Sequence, residues 1–178
     1  MQNKFLYIAA AIVLALLPVL TSCGYRFTPV GGVVPEGMKT IAVPVFINGT
    51  NEPFVDTELT QAVVDEFLFD GRLKVVSLER ADIVLRGKII KFDLTALSYT
   101  ADSHVQQYMV NISVNASVED AKSKKILWRE EGLSSVFVSS YPVALGDITA
   151  TKIAKESAVI KACRDIAATL RSRVLEGF

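Results

Sequence analysis

The amino-acid sequence predicts an α+β fold: a two-layer sandwich in which two helices pack on one face of a mixed, mostly antiparallel sheet with long strands. Three observations carry this prediction. Residues 105–120 alternate, with Tyr108, Val110, Ile112, Val114, Ala116 and Val118 on one face and Asn111, Ser113, Asn115, Ser117 and Glu119 on the other, as in a sheet with one dry and one wet face. Residues 53–70 and 147–176 instead repeat apolar side chains at steps of three and four, the spacing of an amphipathic helix. The element order, βα then β-hairpins then α, brings both helices to one side of the sheet.

Taken in order, residues 23–38 read as a turn-rich tether, since they hold Gly24, Pro29, Gly31, Gly32, Pro35 and Gly37. Residues 39–47 are rich in Ile, Val and Phe and read as a first strand, with Pro44 marking an edge or a bulge. Asn48-Gly49-Thr50-Asn51 is a turn. The first helix follows over residues 53–70, with Val55, Leu59, Ala62, Val63, Glu66 and Phe67 on one side. Asp56 as cap or Pro53 in the first turn would open it, and Gly71 would close it. Residues 72–77 form a short strand and 78–81 a connector.

Residues 82–100 then read as a long strand whose apolar phase changes from Ile83, Leu85 and Ile89 to Ile90, Phe92 and Leu94. A bulge near residues 88–90 would return the apolar side chains to the core. A polar turn leads to residues 105–120. Lys122-Ser123-Lys124-Lys125 forms the next hairpin tip, and residues 126–139 the last strand, bulged at Gly132. The final helix is expected to be capped by Asp147 and ended by Gly177, with Ile153, Ser157, Ile160, Cys163, Ala167, Leu170 and Val174 facing inward. Two consecutive strands of about 15 residues or more span roughly 50 Å, against a usual five or six residues. Their polar outer face either lines up along another elongated object or is a long sheet face in water.

The first 22 residues stand apart. Lys4 precedes sixteen residues, 5–20, without a charge, and Thr21, Ser22 and Cys23 follow. This is the pattern of a secretory signal peptide. An uncleaved anchor is the alternative, but sixteen helical residues rise only about 24 Å, and Pro18 interrupts the end. Leu20-Thr21-Ser22-Cys23 resembles the bacterial lipobox. That resemblance implies cleavage before Cys23, a diacylglycerol on its sulfur and an acyl chain on its nitrogen. Several chains on one residue hold a protein stably to a bilayer. Gly24 after the cysteine, by similarity to sorting in enteric bacteria, implies the outer membrane. The expected organisation is therefore a signal peptide over 1–22, a lipid-anchored tether over 23–38 and one domain over 39–178.

Composition excludes several function classes. Lys and Arg number 19 against 19 Asp and Glu, which argues against a nucleic-acid binder working through bulk charge. One His and two Cys cannot fill a usual structural zinc site, and no cofactor is expected. His104 falls in a hairpin tip with no orienting partner in view, and Cys163 lies on an apolar helix stripe, so neither reads as catalytic. Phosphate-loop, dinucleotide and nucleophile-elbow motifs do not occur. An enzyme is not expected. Basic residues do gather: Arg86, Lys88 and Lys91 on the long strand, Lys124 and Lys125 at the hairpin tip, Arg129 on the strand after it. Arg and Lys are the groups that bind phosphate. Arg86 and Lys88 share the parity that points to the wet face, and solvated charge is the alternative for each.

Four strings carry a family resemblance. Cys23-Gly24-Tyr25-Arg26-Phe27 resembles the mature start of the lipopolysaccharide-assembly lipoprotein family LptE, formerly rare lipoprotein B. Residues 41–50, IAVPVFINGT, resemble its first strand and turn; residues 58–62, ELTQA, its first helix; and residues 81–89, ADIVLRGKI, the start of its long strand. The resemblance implies a two-layer α/β sandwich, lipid-anchored at the periplasmic face of the outer membrane. It implies a plug inside the β-barrel LptD, the pair inserting lipopolysaccharide into the outer leaflet. A wide barrel lumen is polar, which suits a polar sheet face. Lipopolysaccharide binding is implied for the family; Arg86, Lys88, Lys91, Lys124, Lys125 and Arg129 are candidates on physical grounds, not residues transferred from a motif. The alternative is a lipid-anchored carrier that holds an apolar ligand between helices and sheet.

Overall fold

A computed structural model describes residues 32–135 and 139–177 of the chain. The expected signal peptide, Cys23 and the Cys23–Phe27 string lie outside the described residues. Residues Gly31–Phe178 form one compact unit. Its elements are β1 (Thr40–Ala42), β2 (Ile47–Asn48), α1 (Val55–Asp70), β3 (Lys74–Val75), a 3₁₀ turn (Leu78–Arg80), β4 (Ile83–Tyr99), β5 (Val105–Asp120), β6 (Ile126–Ser134), β7 (Ser139–Pro142) and α2 (Ile148–Glu176). The sheet runs β3-β1-β4-β5-β6, with β2 also beside β4 and β7 beside β5. β1 and β2 lie parallel to β4, whereas β4–β5, β5–β6 and β5–β7 are antiparallel. The α+β sandwich with long strands is thus present: β4 has 17 residues and β5 has 16.

Residues 39–47 do not form one strand. The chain leaves the sheet at residues 43–46, around Pro44, and rejoins β4 five residues further along, with Ile41 opposite Ile83 and Ile47 opposite Lys88. Pro44 cannot donate to the ladder, so it marks a gap; β1 itself is flanked on both sides and is not an edge. The gap is used for packing: Phe46 is buried, its ring lying on Gly87 of β4. The strand expected over 72–77 shrinks to Lys74–Val75, and that over 126–139 ends at Ser134.

The bulge in β4 falls where the phase change predicts, between Ile89 and Lys91. Before it Ile83, Leu85 and Ile89 face the core; after it Phe92 packs there opposite Ile112, whereas Ile90 and Leu94, expected with it, are exposed. A second bulge in β6 falls at Gly132, whose φ of 70° a side chain would strain.

Both helices cover the same face. α1 buries Val55, Leu59, Val63 and Phe67. Its first residue follows Phe54, which has a left-handed backbone and no side-chain cap, so neither Asp56 nor Pro53 plays the expected role. Gly71 does close the helix, its N–H reaching Phe67 O. α2 is capped by Asp147, whose carboxylate accepts from Ala150 N–H at 2.8 Å. Its inward stripe is Val159, Ala162, Cys163, Ile166, Ala167, Leu170 and Val174. Ile153 and Ser157, expected inside, are exposed and Ile160 is half-buried, because the inward stripe of α2 runs back from Val159 through Ala158, Lys155, Ala154 and Thr151, to one side of them. Of the residues read as a tether, Val33, Val34 and Met38 pack against this core, and Val33 N–H donates to Val174 O.

Candidate functional site

The outer face of the sheet is polar because β5 presents Asn111, Ser113, Asn115, Ser117 and Glu119 there, opposite in phase to its buried Val110, Ile112, Val114, Ala116 and Val118. Much of it is tied sideways. Asn111 donates to Thr95 Oγ1 at 3.0 Å, Ser113 and Ser134 hydroxyls meet at 2.9 Å, and Gln107 donates to Ser140 Oγ at 2.9 Å. At the start of β4 the face is dry instead: Val84 is buried with Ala42 and Ala81, and Val76 and Ala121 pack against them. The wet face expected from parity therefore begins at Arg86.

The register sets the candidate cations in rows. Arg86 on β4, Ser117 on β5 and Arg129 on β6 stand side by side across three strands. Lys88 lies opposite Asn115 in the row two residues along. These five residues, with Ile47 and Glu131, line a shallow depression of about 250 Å³. Arg86 Nε donates to Glu119 Oε1 at 2.9 Å, the guanidinium side 47% exposed and the carboxylate side 17%. Asn115 spends its carbonyl oxygen on Gly132 N–H at 2.9 Å, so its amide NH₂ remains a donor. The arrangement presents guanidinium, ammonium, amide and hydroxyl donors to one volume, which is the chemistry of an oxyanion ligand.

The other candidates lie elsewhere. Lys91 follows the bulge and pairs with Asp93 at 2.6 Å beside the loop of residues 49–52. Lys124 and Lys125 sit on the exposed β5–β6 tip, which Asp120 shapes by accepting from the N–H groups of Lys122 and Ser123. Periodicity alone could not separate these positions, because the grouping depends on the pairing register. Glu119 was not singled out by the sequence, although its parity with Ser117 places it on the same face.

His104 is exposed in the β4–β5 turn, where its backbone N–H donates to Thr100 Oγ1. Cys163 is buried, and burial, with a smaller contribution from Glu58, pushes its thiol up to about 12. Among the described residues no three His, Cys, Asp or Glu side chains are placed to hold a metal ion, and no helix is long and apolar enough to cross a membrane.

The layered architecture makes this chain an α+β sandwich, a fold also present in bacterial proteins of solved structure. A Xanthomonas campestris protein is similar over 80% of this chain and 88% of its own, with a TM-score of 0.54 at 15% identity. A candidate lipoprotein from Caulobacter crescentus is similar over 75% and 87%, with a TM-score of 0.51 at 13% identity. Rare lipoprotein B from Shewanella oneidensis aligns over 76% and 92%, with a TM-score of 0.48 at 16% identity. A search of curated proteins returns no match to the sequence. Residues 38–174 match LptE, the lipopolysaccharide-assembly family, and the chain belongs to that family.

Proposed function

We propose that this chain is a lipoprotein anchored through Cys23 to the periplasmic face of the outer membrane, where it acts as plug and assembly factor of an LptD-type β-barrel and helps insert lipopolysaccharide into the outer leaflet. The observation that carries the reading is the LptE family match along residues 38–174. The lipobox at Leu20–Cys23 supports the anchor, and a long polar sheet face suits the water-filled lumen of a wide barrel. The role is binding and assembly, not catalysis. Arg86, Lys88, Lys91, Lys124, Lys125 and Arg129 are the proposed contacts to lipopolysaccharide phosphates. The carrier alternative needs room between helices and sheet, and that space holds the buried side chains of α1, α2, β4 and β5.

The test is purification of the full-length protein from detergent-solubilised outer membranes. The proposal expects a stable complex with a large β-barrel and a Cys23→Ala chain that loses its membrane association. A free monomer, with surface lipopolysaccharide unchanged on depletion, would sink it.

A further inference from the structure

Leu68 and Phe69, in the last turn of α1, are 60% and 93% exposed. Among the described residues no core cluster includes them; that turn packs inward through Phe67 alone. Their place in the fold gives them a neighbour. The C-terminal ends of α1 and α2 lie together, because Arg171 donates to Asp70 and Arg72 reaches Glu176 at 3.2 Å. The described chain enters at this same end: Gly32 lies against the Leu175 carbonyl, and Val33 N–H donates to Val174 O at 3.2 Å. Nine peptide links separate Gly32 from Cys23. At about 3.6 Å each they span no more than about 32 Å in any conformation. A bilayer that held Cys23 would therefore lie within that distance of Gly32. The other exposed apolar end, Leu145 and Ile148, stands apart, since the 29 residues of α2 separate Ile148 from Glu176 by about 44 Å.

We infer that Leu68 and Phe69 are a membrane-contact tip: with Cys23 acylated, the C-terminal ends of α1 and α2 rest on the phospholipid surface, the Phe69 ring enters its interfacial layer, and the Ile148 end points away. The inference rests on the Cys23 anchor of the proposed function and deepens it by assigning which end of the domain meets the lipid. Two side chains are too small a patch to hold a protein to a bilayer unaided. An anchor nine residues from Gly32 removes that demand, because it turns the second contact into an intramolecular one at high effective concentration. The ion-paired groups at this end are Arg72 and Arg171 against Glu66, Asp70 and Glu176, so they offer anionic lipid no net positive charge. The contact is apolar, and zwitterionic headgroups suffice for it.

The experiment places a nitroxide on Leu68→Cys in the mature lipoprotein, reconstituted in phosphatidylethanolamine–phosphatidylcholine vesicles; the buried Cys163 stays unlabelled. Collision with dissolved oxygen and with a water-soluble nickel chelate reads immersion. A several-fold loss of nickel collision is expected relative to the same label on Ile148→Cys, with oxygen collision retained and no change in high salt. Phe69→Ser in the Leu68→Cys background should return nickel collision to the Ile148→Cys level. Equal nickel access at the two labelled positions overturns the inference. Equal immersion of both means that the domain lies flat and overturns the assignment of one end. Immersion that survives Phe69→Ser overturns the role of the ring. Shielding that appears only when a β-barrel partner is reconstituted with the lipoprotein assigns the patch to protein contact and overturns the inference. The mass of the Cys23 peptide separates the two readings: an acylated Cys23 with a water-exposed label removes this inference alone, and an unmodified Cys23 removes the anchor and this inference with it.

Discussion

Gly87 shows how much one missing carbon can decide. A Cβ built there would lie 1.9 Å from Phe46 Cε1, and Phe46 is fully packed, so the ring cannot step aside cheaply. Gly87→Ala should therefore cost about 1–3 kcal/mol, read as a lowered denaturant midpoint with an unchanged slope. Gly49 is constrained in the same way, its would-be Cβ meeting Ile89 O at 2.6 Å while its N–H donates to that oxygen. Asp82 is a third such position: its carboxylate accepts from Lys39 and Thr40 N–H and from the Thr40 hydroxyl, and these bonds hold its ionisation below the usual carboxylate range. The strings that resemble the family are thus explained in part by architecture: Asn-Gly-Thr by a side-chain-bonded turn, Ala-Asp by a clamp between β1 and β4.

Asp70 gives the residue scale its pH dependence. Its hydrogen bond from Arg72, the dominant cause against opposing burial, brings the carboxyl down to about 2, with Arg171 of α2 adding a second contact. A carboxyl depressed in the folded state stabilises above its unfolded value of about 3.9, and that contribution is lost as pH falls through about 2. Asp70→Asn should cost about 1–2 kcal/mol at pH 7, discounted for the half-exposed Arg72, with the difference shrinking toward pH 2 and vanishing below it. Parallel urea titrations of the two proteins between pH 7 and pH 2 should converge; parallel curves throughout would count against the assignment.

At the scale of the element, α2 and the β5–β6 hairpin are the informative pieces. α2 starts on a single side-chain cap, Asp147 to Ala150, in turns that bury little. Asp147→Ala should cost about 1 kcal/mol and show first as faster amide exchange in residues 148–152, since the end of α2 is held by core packing and the cap is not. Gly132 places the β6 bulge with a left-handed backbone. Gly132→Ala should destabilise by about 1 kcal/mol and loosen the Asn115 bond, because the bulge presents the N–H that Asn115 accepts. Long β pairing was legible at this scale because a period of two is unambiguous over 16 residues. The short strands were not, since two or three residues show no period.

For the whole molecule, the core joins both layers around Cys163, which is 1% exposed and has its thiol raised to about 12. Its alkylation should be undetectable at pH 8 in the folded protein and should appear only on opening of the α2–sheet interface, with a rate that tracks global stability across the variants above. Rapid labelling under native conditions would mean that α2 opens independently. The part-buried ion pairs that join α1 to α2, Arg171 with Glu66 and Asp70, flank this core.

The sequence by itself determined the two-layer class, the two long strands and their bulges, the helix ends at Gly71 and Gly177, and the likeness to the LptE family. All of these follow from local chemistry: periodicity, the glycine requirement at a left-handed backbone and short ordered strings. Only the tertiary structure decided which cations share a site. Six basic residues were equivalent as charges on strands and turns, and strand register alone set Arg86, Ser117 and Arg129 in one row while leaving Lys91, Lys124 and Lys125 outside it. It also decided which side of the first α2 turns is inside, Ala154 and Lys155 rather than Ile153 and Ser157, because steps of three and four can continue an apolar stripe to either side.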